Sequence, residues 1–250
     1  MTQKKEVYFL SDVHLGLSLV DPVEREARFV SFLKNIPRDK VAALYLLGDI
    51  WDFWYEYRDV VPRYGTRVIA ALISLMDDGV EVWFCPGNHD IWTYSYFESL
   101  GMHKVEQPYF TEIGGKTFCL GHGDTLGGAP WGYRFMLSIF RCRFLQRLFS
   151  TLHPWIAYRF GLGWSNDSRY RHSEYHFRGE EEPLYRFALE QSRSRKVDYF
   201  VFGHFHDEVD LALPTGARLC VLKDWIAGGE PHAVFDGSTL TLRSEASRAE

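Results

Sequence analysis

The sequence predicts an α/β protein built as a mixed-sheet sandwich. Three observations carry that reading. The first half alternates short apolar runs with segments of helical period, the second half carries hairpin signals, and polar clusters rich in Asp and His close the apolar runs.

Val7 to Leu10 reads as a buried strand feeding the loop Ser11-Asp12-Val13-His14. Phe29, Val30, Leu33 and Ile36 recur at helical spacing behind an acidic start at Glu24 to Glu26, and Pro37 stops the pattern. Val41 to Leu47 is a second strand, ending at Gly48-Asp49. Val68, Ile69, Leu72, Ile73 and Met76 mark a second helix closed by Gly79, and Val80 to Cys85 is a third strand. Near-continuous apolar strands alternating with helices imply a parallel sheet covered on both faces. Later, Gly114-Gly115 interrupts Phe110 to Leu120, Pro214-Thr215-Gly216 interrupts Leu211 to Leu222, and Asp236-Gly237 separates two short strands. Those hairpins argue against an eightfold barrel.

Composition narrows the class. The 250 residues hold 28 Lys+Arg against 33 Asp+Glu, a net charge of −5, so no nucleic-acid partner is expected. At 46% apolar and 24% charged, the chain suits one globular domain over 1–250, with a helical insertion at about 130–178. Met1 to Lys5 is polar, and the apolar run after it is too short for a secretory signal. No run of apolar residues is long enough to span a bilayer. The scattered Cys85, Cys119, Cys142 and Cys220 read as free thiols in a reducing compartment. A cytoplasmic protein is expected, peripheral on the inner membrane.

That last expectation comes from the insertion. Trp131 to Arg178 carries eight Arg and only Asp167 and Glu174 as acids, a local +6, which leaves −11 for the remainder. Aromatic residues crowd the same stretch. A cap of this composition can bury acyl chains and pair with anionic headgroups, whereas solvated arginines on a packed helical hairpin are the plainer alternative. Ser165, Ser168, Arg169 and His172 fall on one face of a helix and are candidates for diphosphate or sugar contacts.

Five clusters follow apolar strands: Asp12-x-His14, Gly48-Asp49, Gly87-Asn88-His89-Asp90, Gly121-His122-Gly123-Asp124 and Gly203-His204-Phe205-His206. Carboxyl ends of strands in an open α/β sheet converge on one crevice. Asp12 with His14, and His204 with His206, share a face if the chain stays extended. Asp49 has two oxygens with which to bridge two ions, while Asn88 offers an oxygen and His122 a nitrogen. The neighbouring glycines are expected to let the backbone turn. A nitrogen and oxygen donor set without thiolate favours two divalent ions, Mn(II) first, with Fe or Zn fitting as well. Such a pair activates water and stabilises an in-line phosphoryl displacement. Asp90 and Asp124 are expected to orient a neighbouring His from behind.

Together these clusters resemble the five signature motifs of calcineurin-like metallophosphoesterases, from Asp12 to His206. The resemblance implies a four-layer αββα sandwich. It implies one ion held by Asp12, His14, Asp49 and His206, and another by Asp49, Asn88, His122 and His204. Within that superfamily the chain is similar to the UDP-2,3-diacylglucosamine pyrophosphohydrolases of lipid A biosynthesis. The similarity lies in Gly121 to Leu126, in Tyr133 nine residues past Asp124, and in the helical insertion before Gly203. It implies a lipid-linked UDP-sugar substrate, cleaved to UMP and 2,3-diacylglucosamine 1-phosphate, with Asp124 and Tyr133 near it. The best-known members carry Arg where this chain has His89. A His there can protonate a leaving alkoxide, and either residue can stabilise anionic phosphate. The same chemistry on another phosphoester and a scaffold without chemistry are the competing readings. A scaffold should lack ligands, and every ligand position here carries a competent side chain.

Overall fold

The computed structural model describes residues 5–171 and 176–244, and for 166–171 the backbone alone. Two sheets stack face to face. The first holds β1 (Glu6–Leu10), β2 (Val41–Leu47), β3 (Glu81–Cys85), β4 (His103–Lys104), β10 (His232–Phe235) and β11 (Leu240–Arg243), in the order β11-β10-β1-β2-β3-β4. Its centre, β1 to β3, is parallel, and β10 joins β1 antiparallel. The second holds β5 (Tyr109–Ile113), β6 (Lys116–Leu120), β7 (Tyr199–Phe202), β8 (Val209–Ala212) and β9 (Arg218–Val221), in the order β5-β6-β7-β9-β8. The predicted hairpins are all present as antiparallel pairs.

Strand alternation explains the layers. Along β1, Val7 and Phe9 point between the sheets, against Phe118, Val201 and Phe235. Tyr8 and Leu10 point the other way, onto α1 (Pro22–Asn35) and α2 (Thr66–Asp77) through Phe29, Leu33, Val68 and Leu72. On the second sheet, Cys119, Phe200 and Leu219 face outward onto Leu184, Tyr185 and Ala188 of α7 (Pro183–Ser194). Helix, sheet, sheet and helix thus form four layers around three apolar interfaces. Cys85, Cys119 and Cys220 are buried free thiols within them, and burial raises each thiol well above its ordinary range.

The helix ends follow the sequence signals. Asp21 caps α1, its carboxylate accepting from the backbone N–H groups of Val23 and Glu24 at 2.9 and 3.1 Å. Gly79, in the left-handed region, turns the chain from α2 into β3. Between β6 and α7 lie α4 (Trp131–Arg141), α5 (Arg143–Phe149) and α6 (Pro154–Arg171). The one-turn α3 (Tyr96–Ser99), the two-residue β4 and α7 are additions to the sequence reading. None of the helices in the described residues is long and apolar enough to cross a membrane.

Candidate metal centre

Asp12, His14, Asp49, Asn88, His122, His204 and His206 meet at the carboxyl ends of β1, β2, β3, β6 and β7. Extended geometry does not bring them together. Asp12, His14, Asp49, His204 and His206 all have φ between 52° and 72°, so each lies in the left-handed region immediately beyond its strand. Such conformations are strained for residues with a Cβ and persist where the surrounding structure fixes them. Asp12 and His14 do lie together, through left-handed backbone and not through strand alternation, while His204 and His206 face different partners, His122 and Asp12. Two of the glycines serve close approach more than turning. A Cβ on Gly87 would sit 2.2 Å from Asp49 Oδ1, and one on Gly203 would sit 1.9 Å from Ser11 Oγ.

Asp49 is held so that one oxygen faces both halves of the centre. Its Oδ1 accepts from the backbone N–H of His89 at 2.9 Å. Its Oδ2 lies 3.2 Å from His122 Nε2, 3.9 Å from His14 Nε2 and 4.0 Å from His89 Nε2. On one side, Asp12 Oδ1 is 3.5 Å from His14 Nε2 and 3.6 Å from His206 Nε2. On the other, Asn88 Oδ1 is 3.1 Å from His122 Nε2, and the His204 ring packs edge-on to that of His122. Three groups offer ligand atoms within 4.8 Å of one another: Asp12, His14 and His206; Asp12, Asp49 and His122; and His14, Asp49 and His89.

These residues fit divalent cations on two independent grounds. Asp12 Oδ1 is fully buried and accepts no hydrogen bond within the described residues, although Oδ2 of the same carboxylate accepts from the His204 backbone N–H at 2.9 Å. A buried carboxylate oxygen that accepts no hydrogen bond, set among imidazoles, is suited to a cation. The electrostatics agree. Burial works against the Asp49 charge, yet His122, His89 and His14 hold its carboxyl well below the usual range. Burial likewise opposes protonation of His122, but Asp49 and Asp12 raise it well above an ordinary imidazole. The cluster calls for positive charge at its middle.

The supporting contacts include residues the sequence reading missed. Asp52 Oδ1 lies 3.2 Å from His14 Nδ1, and the Asp52 carbonyl accepts from His89 Nδ1 at 2.8 Å. Asp224 Oδ2 lies 3.1 Å from His206 Nδ1. His122 Nδ1 donates to the carbonyl of Leu47 at 3.0 Å. Both acids are buried and neither belongs to one of the five clusters: Asp52 follows Trp51 and Asp224 precedes Trp225.

Two expectations are corrected. Asp90 does not orient a histidine. Its carboxylate accepts from the backbone N–H groups of Gly87 and Ile50 at 2.7 and 2.9 Å, sewing the loop after β3 to the loop after β2. Burial and Asp49 push Asp90 up to about 7. Asp124 likewise accepts from the hydroxyl of Tyr133 at 3.2 Å and from the amide of Gln107, so it braces Tyr133.

Among the substrate candidates, Ser165 is buried with Oγ 3.3 Å from His89 Nδ1. Ser168 and Arg169 lie on α6 without described side chains, and His172 falls outside the described residues. One turn before Ser165, Gly161 lets α6 touch Phe53, where a Cβ would meet the ring at 2.4 Å. An apolar slot of about 160 Å³ opens there, between Phe53, Tyr55 and Trp92 on the sandwich and Phe140, Phe149 and Trp164 on α4 to α6. Tyr55 donates to the Gln146 carbonyl at 2.6 Å, Tyr57 to that of Leu152 at 3.2 Å, and Trp92 to that of Phe140 at 3.0 Å.

A sandwich of this topology with a strand-end cluster of Asp, Asn and His defines a class: the family description "Calcineurin-like phosphoesterase" matches residues 5–208, and the chain belongs to that family. Such a protein works with divalent metal ions. Among its relatives, the UDP-2,3-diacylglucosamine hydrolase of Porphyromonas gingivalis is 38% identical over 96% of this chain and 98% of its own. The protein of the same name from Neisseria gonorrhoeae is 29% identical over 87% and 89%. In fold, the chain is similar to a dimetal phosphatase from Danio rerio, with a TM-score of 0.50 at 15% identity over 97% and 96% of the two chains.

Proposed function

We propose that this chain hydrolyses the diphosphate of UDP-2,3-diacylglucosamine to UMP and 2,3-diacylglucosamine 1-phosphate, a step of lipid A biosynthesis. The observation that carries the reading is the apolar slot, which shares α6 with the Ser165 that touches His89. A nucleobase can stack on aromatic rings but needs polar partners for its edges, and a slot lined almost wholly by apolar side chains suits an acyl chain better. The P. gingivalis relative, matched almost end to end, supports the same substrate.

The residues divide the work. Asp12, His14, Asp49 and His206 would hold one ion, and Asp49, Asn88, His122 and His204 the other. Manganese suits this donor set best, with Fe or Zn as the alternatives. When bound, the ions supply Lewis-acid activation of water and neutralise charge on the phosphoryl group. His122 donates its Nδ1 proton to Leu47, which leaves Nε2 as the ligand atom. His89 donates an Nδ1–H hydrogen bond to the Asp52 carbonyl and turns Nε2 toward Asp49. With Nε2 protonated as well, the imidazolium would stabilise the departing phosphate, a weak base that needs no full proton transfer. Arg169 would contact the diphosphate, with His172, Asp124 and Tyr133 bordering the sugar, while Ser165 supports His89 from its Nδ1 side.

The exposed face of α4 to α6 carries Trp131, Phe135, Phe144, Leu148 and Trp155 beside Arg134, Arg143, Arg147 and Arg159. That face would rest on the anionic cytoplasmic side of the inner membrane, where the substrate resides. UMP release measured with purified protein and manganese tests the assignment. Turnover of the diacylated substrate far above that of UDP-N-acetylglucosamine and of bis-p-nitrophenyl phosphate is expected. Equal rates on all three would leave a general phosphoesterase.

A further inference from the structure

The two halves of the centre are backed differently. His14 and His206 each present Nδ1 to a buried carboxylate, Asp52 Oδ1 at 3.2 Å and Asp224 Oδ2 at 3.1 Å. His122 on the other side presents Nδ1 to a neutral backbone carbonyl at 3.0 Å. An anionic acceptor at Nδ1 fixes the tautomer and makes Nε2 a stronger donor to a cation than a neutral one does.

Asp224 is also tied to the other end of that half. The backbone N–H of its neighbour Trp225 donates to the carbonyl of Asp12 at 3.0 Å. Arg28 from α1 donates to the Trp225 carbonyl at 2.6 Å, and Asp224 Oδ1 accepts from the Ile226 backbone N–H at 2.6 Å. One dipeptide beyond β9 thus touches two residues that converge on the same place, His206 by side chain and Asp12 by main chain. No residue of the five motif clusters makes both contacts in this way.

We propose that Asp224 is a positioning residue that locks His206 with its proton on Nδ1 and its lone pair on Nε2 facing Asp12, and thereby sets the affinity of the ion held by Asp12, His14 and His206. The inference rests on the ligand assignment given under Proposed function.

Asn at this position separates positioning from mere filling of space. It has the same volume and keeps an oxygen for the Ile226 N–H, but it then presents an NH2 donor to His206 Nδ1. That arrangement drives the imidazole proton to Nε2, where it opposes a cation. Mn2+ binding to the full chain, followed by isothermal titration with free Mn2+ checked by electron paramagnetic resonance, reads the effect. Asp224→Asn is expected to weaken one of two ions by about 10- to 100-fold, leave the other near its wild-type affinity, and cost at least as much as Asp224→Ala. Thermal midpoints without metal show whether either variant is folded. Both ions bound by Asp224→Asn as by the wild type overturn the proposal, whatever Asp224→Ala does. A wild-type chain that binds a single ion overturns the dimetal reading instead, and the effect of Asp224→Asn on that ion still decides the inference.

Discussion

Ser165 on α6 lies with its hydroxyl 3.3 Å from Nδ1 of His89 on the loop after β3, so α6 reaches the strand-end cluster through a polar contact. His89 Nδ1 already faces the Asp52 carbonyl at 2.8 Å. Ser165 is therefore a secondary support for the ring. One such hydrogen bond is worth about 1 kcal/mol, so Ser165→Ala should lower kcat/KM roughly fivefold. Steady-state kinetics with metal analysis check it, the metal content staying at the wild-type value.

Asp49 presents a single oxygen to His122 and His14. Asp49→Asn replaces a shared anion with a neutral amide of the same shape. Metal content should fall and UMP release should cease while circular dichroism remains that of the folded protein. Two bound ions with full turnover in this variant would refute the bridging role.

His89→Arg tests the leaving group. If an alkoxide departed, loss of the general acid would cost roughly a hundred- to ten-thousandfold. A phosphate needs only charge stabilisation, which a guanidinium also supplies. Substantial UMP release by the metal-loaded variant is therefore expected, and its collapse would count against the anhydride reading.

The slot beside Gly161 gives a length dependence. Each buried methylene is worth about 0.8 kcal/mol, so shortening fully buried acyl chains by four carbons in all should weaken binding by roughly 3 kcal/mol, on the order of a hundredfold. Gly161→Ala should act in the same place. Helix propensity favours alanine by about 1 kcal/mol, but overpacking against Phe53 costs about 1–3 kcal/mol. The variant should discriminate more strongly against long chains at unchanged metal content, as KM across an acyl series would show.

The convergence of the seven candidate ligands was legible in the sequence because each sits in a polar cluster that ends an apolar run, and the strands bring such ends together. What was not legible is how the backbone bends there. Left-handed φ at Asp12, His14 and Asp49 follows from tertiary restraint and leaves no local signature. Asp52 and Asp224 escaped because their partners lie 38 and 18 residues away, and a single buried acid announces no partner. Asp90 was misassigned for a related reason: its acceptors' partners are main-chain N–H groups, which every residue type shares. The layers, by contrast, were expected: near-continuous apolar runs such as Val41 to Leu47 imply a sheet covered on both faces, and the family resemblance implies the four-layer sandwich.

Tyr55, Tyr57 and Trp92 all end on main-chain carbonyls of the segment from α4 to α6, at Gln146, Leu152 and Phe140. Two of these rings also pack on side chains of the same segment, Tyr55 on Phe149 and Trp92 on Phe140. At Leu145, which lines the slot and takes no part in these hydrogen bonds or ring contacts, the lining can therefore be rewritten without unfastening the helices from the loops that carry Asp49 and His89. Substrate range and catalytic geometry are in this way separately adjustable, and an engineer seeking a different tail length has a lining to redesign on a dock that stays put.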